Sequence, residues 1–155
     1  MNATNNIEFH CNRLETLSPL QLHAIMLARQ TVFIDEQRIC CADTDLHDLH
    51  AWHVTVWHEG KLAAYLRILD PGEKYPEPAI GRVITTHAYR RIGLGKRIMQ
   101  VAIDHCTRLY PGQAIRISAQ AHLETFYTRL GFITLGEQYL EEGVPHYAML
   151  HPAEA

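Results

Sequence analysis

Ile80-Gly81-Arg82-Val83-Ile84-Thr85-Thr86-His87-Ala88-Tyr89-Arg90-Arg91-Ile92-Gly93-Leu94-Gly95-Lys96-Arg97-Ile98-Met99-Gln100 decides the reading of this chain. Residues 80–86 are β-branched and extended in character, which predicts a strand. Residues 90–96 then bring glycines and cations to the place where a helix must begin. Leu94, Ile98, Val101, Ala102, His105, Cys106 and Leu109 recur three or four apart and form one apolar stripe. A helix start exposes backbone N–H groups with no partner inside the helix, and its dipole adds partial positive charge there. Gly93 and Gly95 leave room for a ligand to approach those amides, and Arg90, Arg91, Lys96 and Arg97 add full charges. The stretch is a phosphate site on physical grounds.

Two better-known phosphate loops fit poorly. A Walker loop needs Ser or Thr after Gly-Lys, and Gly95-Lys96 is followed by Arg97. A dinucleotide fingerprint needs a third glycine, where this chain has Ile98.

Outward from this stretch, composition sets the class. The 155 residues predict a single domain, 1–155, large enough to bury a core. Apolar content of 47% and charged content of 20% are globular values, and no apolar run is long enough to cross a bilayer. A formal net charge of -3 argues against bulk attraction to nucleic acid. Four cysteines occur (Cys11, Cys40, Cys41 and Cys106), with no Cys-x-x-Cys spacing. With no apolar leader at the N-terminus, a cytoplasmic location with reduced thiols is expected.

Upstream, residues 7–13 form a first expected strand. Ser18-Pro19-Leu20-Gln21 is a capping box with proline at the first helical position, and the helix is expected to end near Phe33. Residues 35–50, rich in Asp and His, read as a long loop or broken helix, and long ordered loops tend to be functional. Residues 52–57 and 62–69 form a hairpin across Glu59-Gly60. Downstream come a strand at 114–119, a short helix at 122–130 closed by Gly131, and strands at 132–135 and 147–150. Gly136 and residues 141–146 are expected in the connection between those last two. This order predicts an α/β mixed sheet with helices on both faces, and a ligand crevice where the strands ending at Thr86 and Ala119 diverge.

Arg90-Arg91-Ile92-Gly93-Leu94-Gly95 is similar to the pyrophosphate signature of the GNAT acyl-CoA-dependent N-acetyltransferases. The chain resembles the ElaA-like group of that superfamily through Val32–Gln37, Asp43-Thr44-Asp45, Tyr65–Leu69, Ile80–Ile84, Ala119–Leu123, Phe126-Tyr127, Gly131–Ile133 and Glu142–His146. The resemblance spans nearly all of the chain beyond its first dozen residues. It implies a GNAT fold, a mostly antiparallel sheet of six or seven strands, and acetyl-CoA between the fourth and fifth. Val83 and Ile84 would meet the pantetheine through their backbone, and residues 91–96 would hold the pyrophosphate. Arg90, Gln120, Leu123 and Phe126 complete the expected cofactor set. Arg91 stands where the signature often has glycine, and Cys41-Ala42 replaces a Pro and an aromatic residue common in the group.

Acetyl transfer needs a neutral amine, a polarised thioester carbonyl and a proton for the departing thiolate. The resemblance implies Tyr127 as the general acid, since a phenol with a pKa of about 10 stays protonated at neutral pH. The Ile84 N–H is the expected carbonyl donor. Glu36 leads as the base, with His53, His122 and Glu142 as others. Arg67, Arg82, His53 and Glu142 are expected on the acceptor side, although both arginines have salt-bridge partners available in Asp43, Asp45 and Asp48. Those same acidic residues, with Glu36, are expected to draw in a cationic acceptor. The expected acceptor is a primary amine of a small molecule or peptide; many relatives dimerise through sheet edges, and Trp52, Trp57 and the C-terminal strands are the contacts a homodimer of this chain would use. Two rival readings are a CoA-binding sensor without catalysis, and a metal-binding module built from the Asp/His segment 43–53. That segment matches no established ligand spacing, and the favoured reading involves no metal.

Overall fold

The structure, a computed structural model, describes residues 6–154. Seven strands form one sheet: β1 (Ile7–Arg13), β2 (Trp52–His58), β3 (Lys61–Leu69), β4 (Ala79–Thr85), β5 (Ile115–Gln120), β6 (Ile133–Glu141) and β7 (Val144–His151), in the order β1-β2-β3-β4-β5-β7-β6. All neighbours run antiparallel except β4 and β5. Three α-helices cover it: α1 (Pro19–Arg29), α2 (Leu94–Leu109) and α3 (Glu124–Arg129). No helix among the described residues is long and apolar enough to cross a membrane.

Strand β3 is buried at every position after Lys61, as expected for a strand covered on both faces. On one face, Leu94, Ile98, Met99, Ala102 and Cys106 of α2 pack against Val54, Leu66, Ile80 and Ile117. On the other, Ile25 and Val32 pack with Leu62, Tyr65 and Ile84. Helix α1 begins as its sequence predicts. The Gln21 N–H donates to Ser18 Oγ at 3.1 Å, and the Ser18 N–H donates to Gln21 Oε1 at 2.9 Å. Such a cap stabilises a helix by about 1 kcal/mol.

Three boundaries differ from expectation. Helix α1 stops at Arg29 and continues as a π-helical segment, Gln30–Glu36, where the Gln37 N–H reaches the Val32 carbonyl at 3.0 Å. Of the two forms expected for residues 35–50, the broken helix is the one found, helical to Glu36 and again at Leu46–Leu49. The last two strands are longer than expected: β6 runs to Glu141 and absorbs Gly136 in a register shift between Leu135 and Tyr139. Only Glu142 and Gly143 turn the chain, with φ of 50° and 75°, the left-handed pair that a two-residue hairpin needs.

Candidate active site

Strands β4 and β5 pair only at Ala79 and Arg116, then splay. Opposite, the ladder of β4 with β3 jumps from Tyr65↔Ile84 to Arg67↔Gly81, so Arg82 and Val83 bulge out against Leu66. Arg82 holds φ 52°, a conformation that only the surrounding fold can impose on a non-glycine residue. The phase of the ladder follows from the Thr86 N–H bonded to the Ala63 carbonyl at 3.0 Å. Alternation then turns the Ile84 N–H toward Tyr65. The expected donor is corrected accordingly: the Ile84 N–H belongs to the ladder with β3, and Val83 of the bulge lines the cleft.

The cleft so opened has a volume of about 160 Å³. Val83, Gln120, Leu123 and Tyr127 line one part of it; Phe33, Gln37, Cys41, Asp43, Arg67, Tyr75, Arg82, Glu141, Glu142 and His146 line another. Phe126 packs in the same core beside Tyr127, ring centroids 5.0 Å apart.

At the mouth of α2 the chain turns through Arg91 at φ 65° and Gly93 at φ 82°. Arg91 adopts a conformation that glycine accepts most easily, which is why glycine suits that place in the signature. No side chain caps the helix, so the N–H groups of Leu94, Gly95 and Lys96 face outward with no intrahelical partner. A Cβ on Gly95 would meet Phe126 at 3.6 Å and Thr85 at 3.8 Å, ordinary contacts that admit alanine. Exposed Arg91, Ile92 and Lys96 surround these amides, whereas Arg97 lies 5.1 Å over the Phe9 ring. Gly93→Val should destabilise the protein by about 1–2 kcal/mol through its left-handed φ alone, since nothing lies near its Cβ. Urea unfolding checks this, with Gly93→Asn expected to cost less.

Arg90 is a brace. Its Nε donates to the Thr85 carbonyl at 3.0 Å, and its Nη2 pairs with Glu36 at 2.6 Å. Glu36, expected as the general base, is corrected: it pairs with Arg90 beside the turn into α2 and does not line the cleft. His53 is corrected as an acceptor contact. It is fully buried, with Nδ1 2.7 Å from the Tyr65 hydroxyl and Nε2 2.9 Å from the Asp48 carbonyl, and burial pushes its imidazole below the ordinary range. His122 is exposed and lies off the cleft. Gln120 donates to Gln37 across the cleft at 3.0 Å.

The acidic segment is corrected as well. Arg29 Nε holds Asp43 at 2.7 Å and its Nη1 holds Asp48 at 2.7 Å. Arg67 binds Asp45 through two bonds of 2.6 and 2.9 Å and reaches Asp48 at 2.9 Å. Arg82 closes the lattice on Asp43 at 3.0 Å and Asp45 at 3.5 Å. Three carboxylates and three guanidiniums cancel, so these aspartates neither draw in a cation nor remain free to ligate a metal. Arg67 and Arg82 line the cleft as members of this lattice.

Tyr127 is buried, 7% exposed, and reaches the cleft. Burial alone pushes its phenol up to about 12, with no neighbouring charge or hydrogen bond contributing. It is a held proton.

Residues 28–151 match the family model described as an acetyltransferase (GNAT) domain. The chain belongs to the GNAT acetyltransferase family. Its relatives include protein ElaA of Escherichia coli K12, 38% identical over 86% of this chain and 88% of that protein. The crystal structure of E. coli ElaA superposes with a TM-score of 0.87 at 36% identity, over 94% of this chain and 99% of that one. An acyl-CoA N-acyltransferase structure from Pseudomonas aeruginosa gives 0.89 at 36% identity, with the same coverage. This GNAT chain is thus an acyltransferase of the ElaA-like group, in a family whose donors are acyl-CoA thioesters.

Sequence reasoning missed Ser118, Glu141 and His146 on the cleft wall. The signal was present: Glu-Gly after a strand at 142–143 repeats the Glu59-Gly60 hairpin.

Proposed function

We propose that the protein transfers an acetyl group from acetyl-CoA directly to a primary amine of a small molecule or peptide. One observation carries this reading: β4 splays from β5 after a single pair, and the cleft so opened leads to the uncapped mouth of α2, whose first amides have no intrahelical partner. A cleft and helix mouth so arranged suit an extended ligand with an amide-bearing arm and a diphosphate. Bound acetyl-CoA supplies an activated acyl carbon and a thiolate leaving group. The amides from Arg91 to Lys96 hold the diphosphate, with Arg91 and Lys96 adding charge and Arg90 bracing the turn. Val83 aligns the arm, and Leu123 and Phe126 pack beside it. Tyr127 keeps its proton at neutral pH and delivers it to the departing sulfur.

The test pairs calorimetry of CoA binding with release of free thiol from acetyl-CoA over a panel of amines. CoA binding with amine-dependent thiol release is the expected result. Binding with no release for any amine would identify a CoA sensor. Absence of CoA binding would overturn the reading entirely.

A further inference from the structure

With Glu36 and His53 committed elsewhere, the acetyl-transfer reading lacks a group to receive the acceptor's ammonium. Sheet register supplies one. Ser118 and Gln120 alternate with buried Ile117 and Ala119 on β5, so they face the cleft. Gln120 sits opposite His146, and His146 opposite Tyr139, two residues before Glu141. Residues directly opposite in an antiparallel pair share a face, so Ser118, His146, Tyr139 and Glu141 converge on one side of the sheet.

Their contacts form a connected set. The Ser118 hydroxyl lies 3.3 Å from both Glu141 oxygens and is also bonded to the Tyr139 hydroxyl. His146 Nε2 lies 3.2 Å from Glu141 Oε2. Its Nδ1 is 2.7 Å from the Val144 carbonyl, which can only accept, so Nδ1 carries a hydrogen and Nε2 is the nitrogen that faces Glu141. Tyr139 stacks on the imidazole at 6.2 Å. Lys74 and Arg116 lie on the Tyr75 ring at 5.5 and 4.6 Å and form no ion pair with Glu141. The Asp43–Asp45–Asp48 lattice is neutral in itself. Glu142, the other anion of this wall, is exposed at the hairpin corner and is not held.

We infer that Glu141 is the carboxylate that binds the acceptor's ammonium group and takes its proton, with His146 as the positioning residue that sets its orientation and availability. The inference rests on the acetyl-transfer reading above. The step balances as follows. The ammonium gives one proton to Glu141, and the freed lone pair forms the N–C bond. The C–S bond breaks with its electron pair on sulfur, which takes the Tyr127 proton. The nitrogen's second proton restores the phenol through solvent, so one proton leaves by Glu141 for each amide formed. The site therefore selects alkylamines, cationic in solution, over amines that arrive neutral.

The test uses the CoA-saturated protein, in which no turnover occurs, titrated with n-butylammonium and with aniline, and followed by two-dimensional NMR. CoA affinity is measured first in every variant: equal affinity shows an intact fold, and failure of the wild type to bind CoA strikes the acetyl-transfer reading rather than Glu141. Butylammonium is expected to perturb residues 118–120 and 139–146. Glu141→Gln should weaken it at least about tenfold, as loss of a charge-assisted bond requires, and Glu142→Gln less than about threefold. Aniline should bind all three proteins alike. His146→Ala should weaken butylammonium while leaving aniline and CoA binding unchanged, and His146→Gln, which can still donate toward Glu141, should restore part of the loss. No weakening in Glu141→Gln, equal weakening for both probes, or perturbation elsewhere overturns the inference, as does a His146→Ala variant that binds butylammonium like the wild type.

Discussion

Tyr127→Phe should lower kcat for acetyl transfer by roughly 10²–10⁴, the range of a lost general acid, with CoA affinity unchanged. The substitution removes one hydroxyl and nothing else. No charge or hydrogen bond of the protein acts on that hydroxyl, so its loss strands no buried partner. The ring keeps its edge-on packing against Phe126 at 5.0 Å and Phe132 at 6.0 Å. Stability should therefore change little, and the effect should lie in the chemical step.

A phenol raised to about 12 is a weak acid, and an ordinary thiol near ~8.5 would not draw its proton readily. The medium resolves this. A thiolate generated beside a buried phenol is itself partly desolvated, and desolvation of an anion raises its basicity toward that of the phenol. Single-turnover kinetics separate the outcomes. A fall in the acyl-transfer rate with unchanged CoA binding supports the acid role. A loss of CoA affinity at unchanged rate would make Tyr127 a packing residue.

The local features of this protein were legible in its sequence because each is decided over a few residues. The Ser18 capping box, the Glu59-Gly60 hairpin and the glycine turn before Leu94 depend on neighbours in the chain, and all three stand as read. What stayed hidden depends on partners far apart in sequence. Arg67 and Arg82 do pair with Asp43, Asp45 and Asp48, as the sequence allowed, but nothing in it pointed to Arg29, the buried guanidinium that ties Asp43 and Asp48 to α1. Glu36 looks available until the fold brings Arg90 to it. Glu141 and His146 look like connection in the sequence, but β6 passes through Gly136 with a register shift and carries on to Glu141. Hydrophobic periodicity fixes which residues are inside, but it carries no information about which buried charges meet.

That lattice yields the largest stability effect. Arg29→Ala should cost about 3–5 kcal/mol, the range for breaking a buried ion pair from one side, against the roughly 5–15 kcal/mol that holds a typical domain together. Arg29 is fully buried and donates to Asp43 Oδ2, to Asp48 Oδ1 and, at 2.9 Å, to the Asp43 carbonyl. Without it, two nearly buried carboxylates keep only Arg82 and Arg67 between them, and the segment around residues 43–49 loses its anchor to α1. Arg29→Lys should recover only part of the loss, because an ammonium cannot reproduce the guanidinium fork. Asp48→Asn combined with Arg29→Leu should recover more, by removing the stranded charge rather than leaving it. The lattice also sets the acid limb of stability. Burial pushes the Asp45 carboxyl up, but the Arg67 hydrogen bonds and the charges of Arg67 and Arg82 outweigh it and bring it to about 2. Asp48 is likewise lowered, its burial outweighed by Arg29 and Arg67. A depressed carboxylate contributes stability that is complete above its unfolded value of 3.8 and is lost as pH falls toward its folded one. Urea midpoints of the wild type should therefore fall steeply between about pH 4 and 2, and those of Arg29→Ala should start lower and fall less. A variant that kept the wild-type midpoint at neutral pH would show that the lattice is dispensable to the fold.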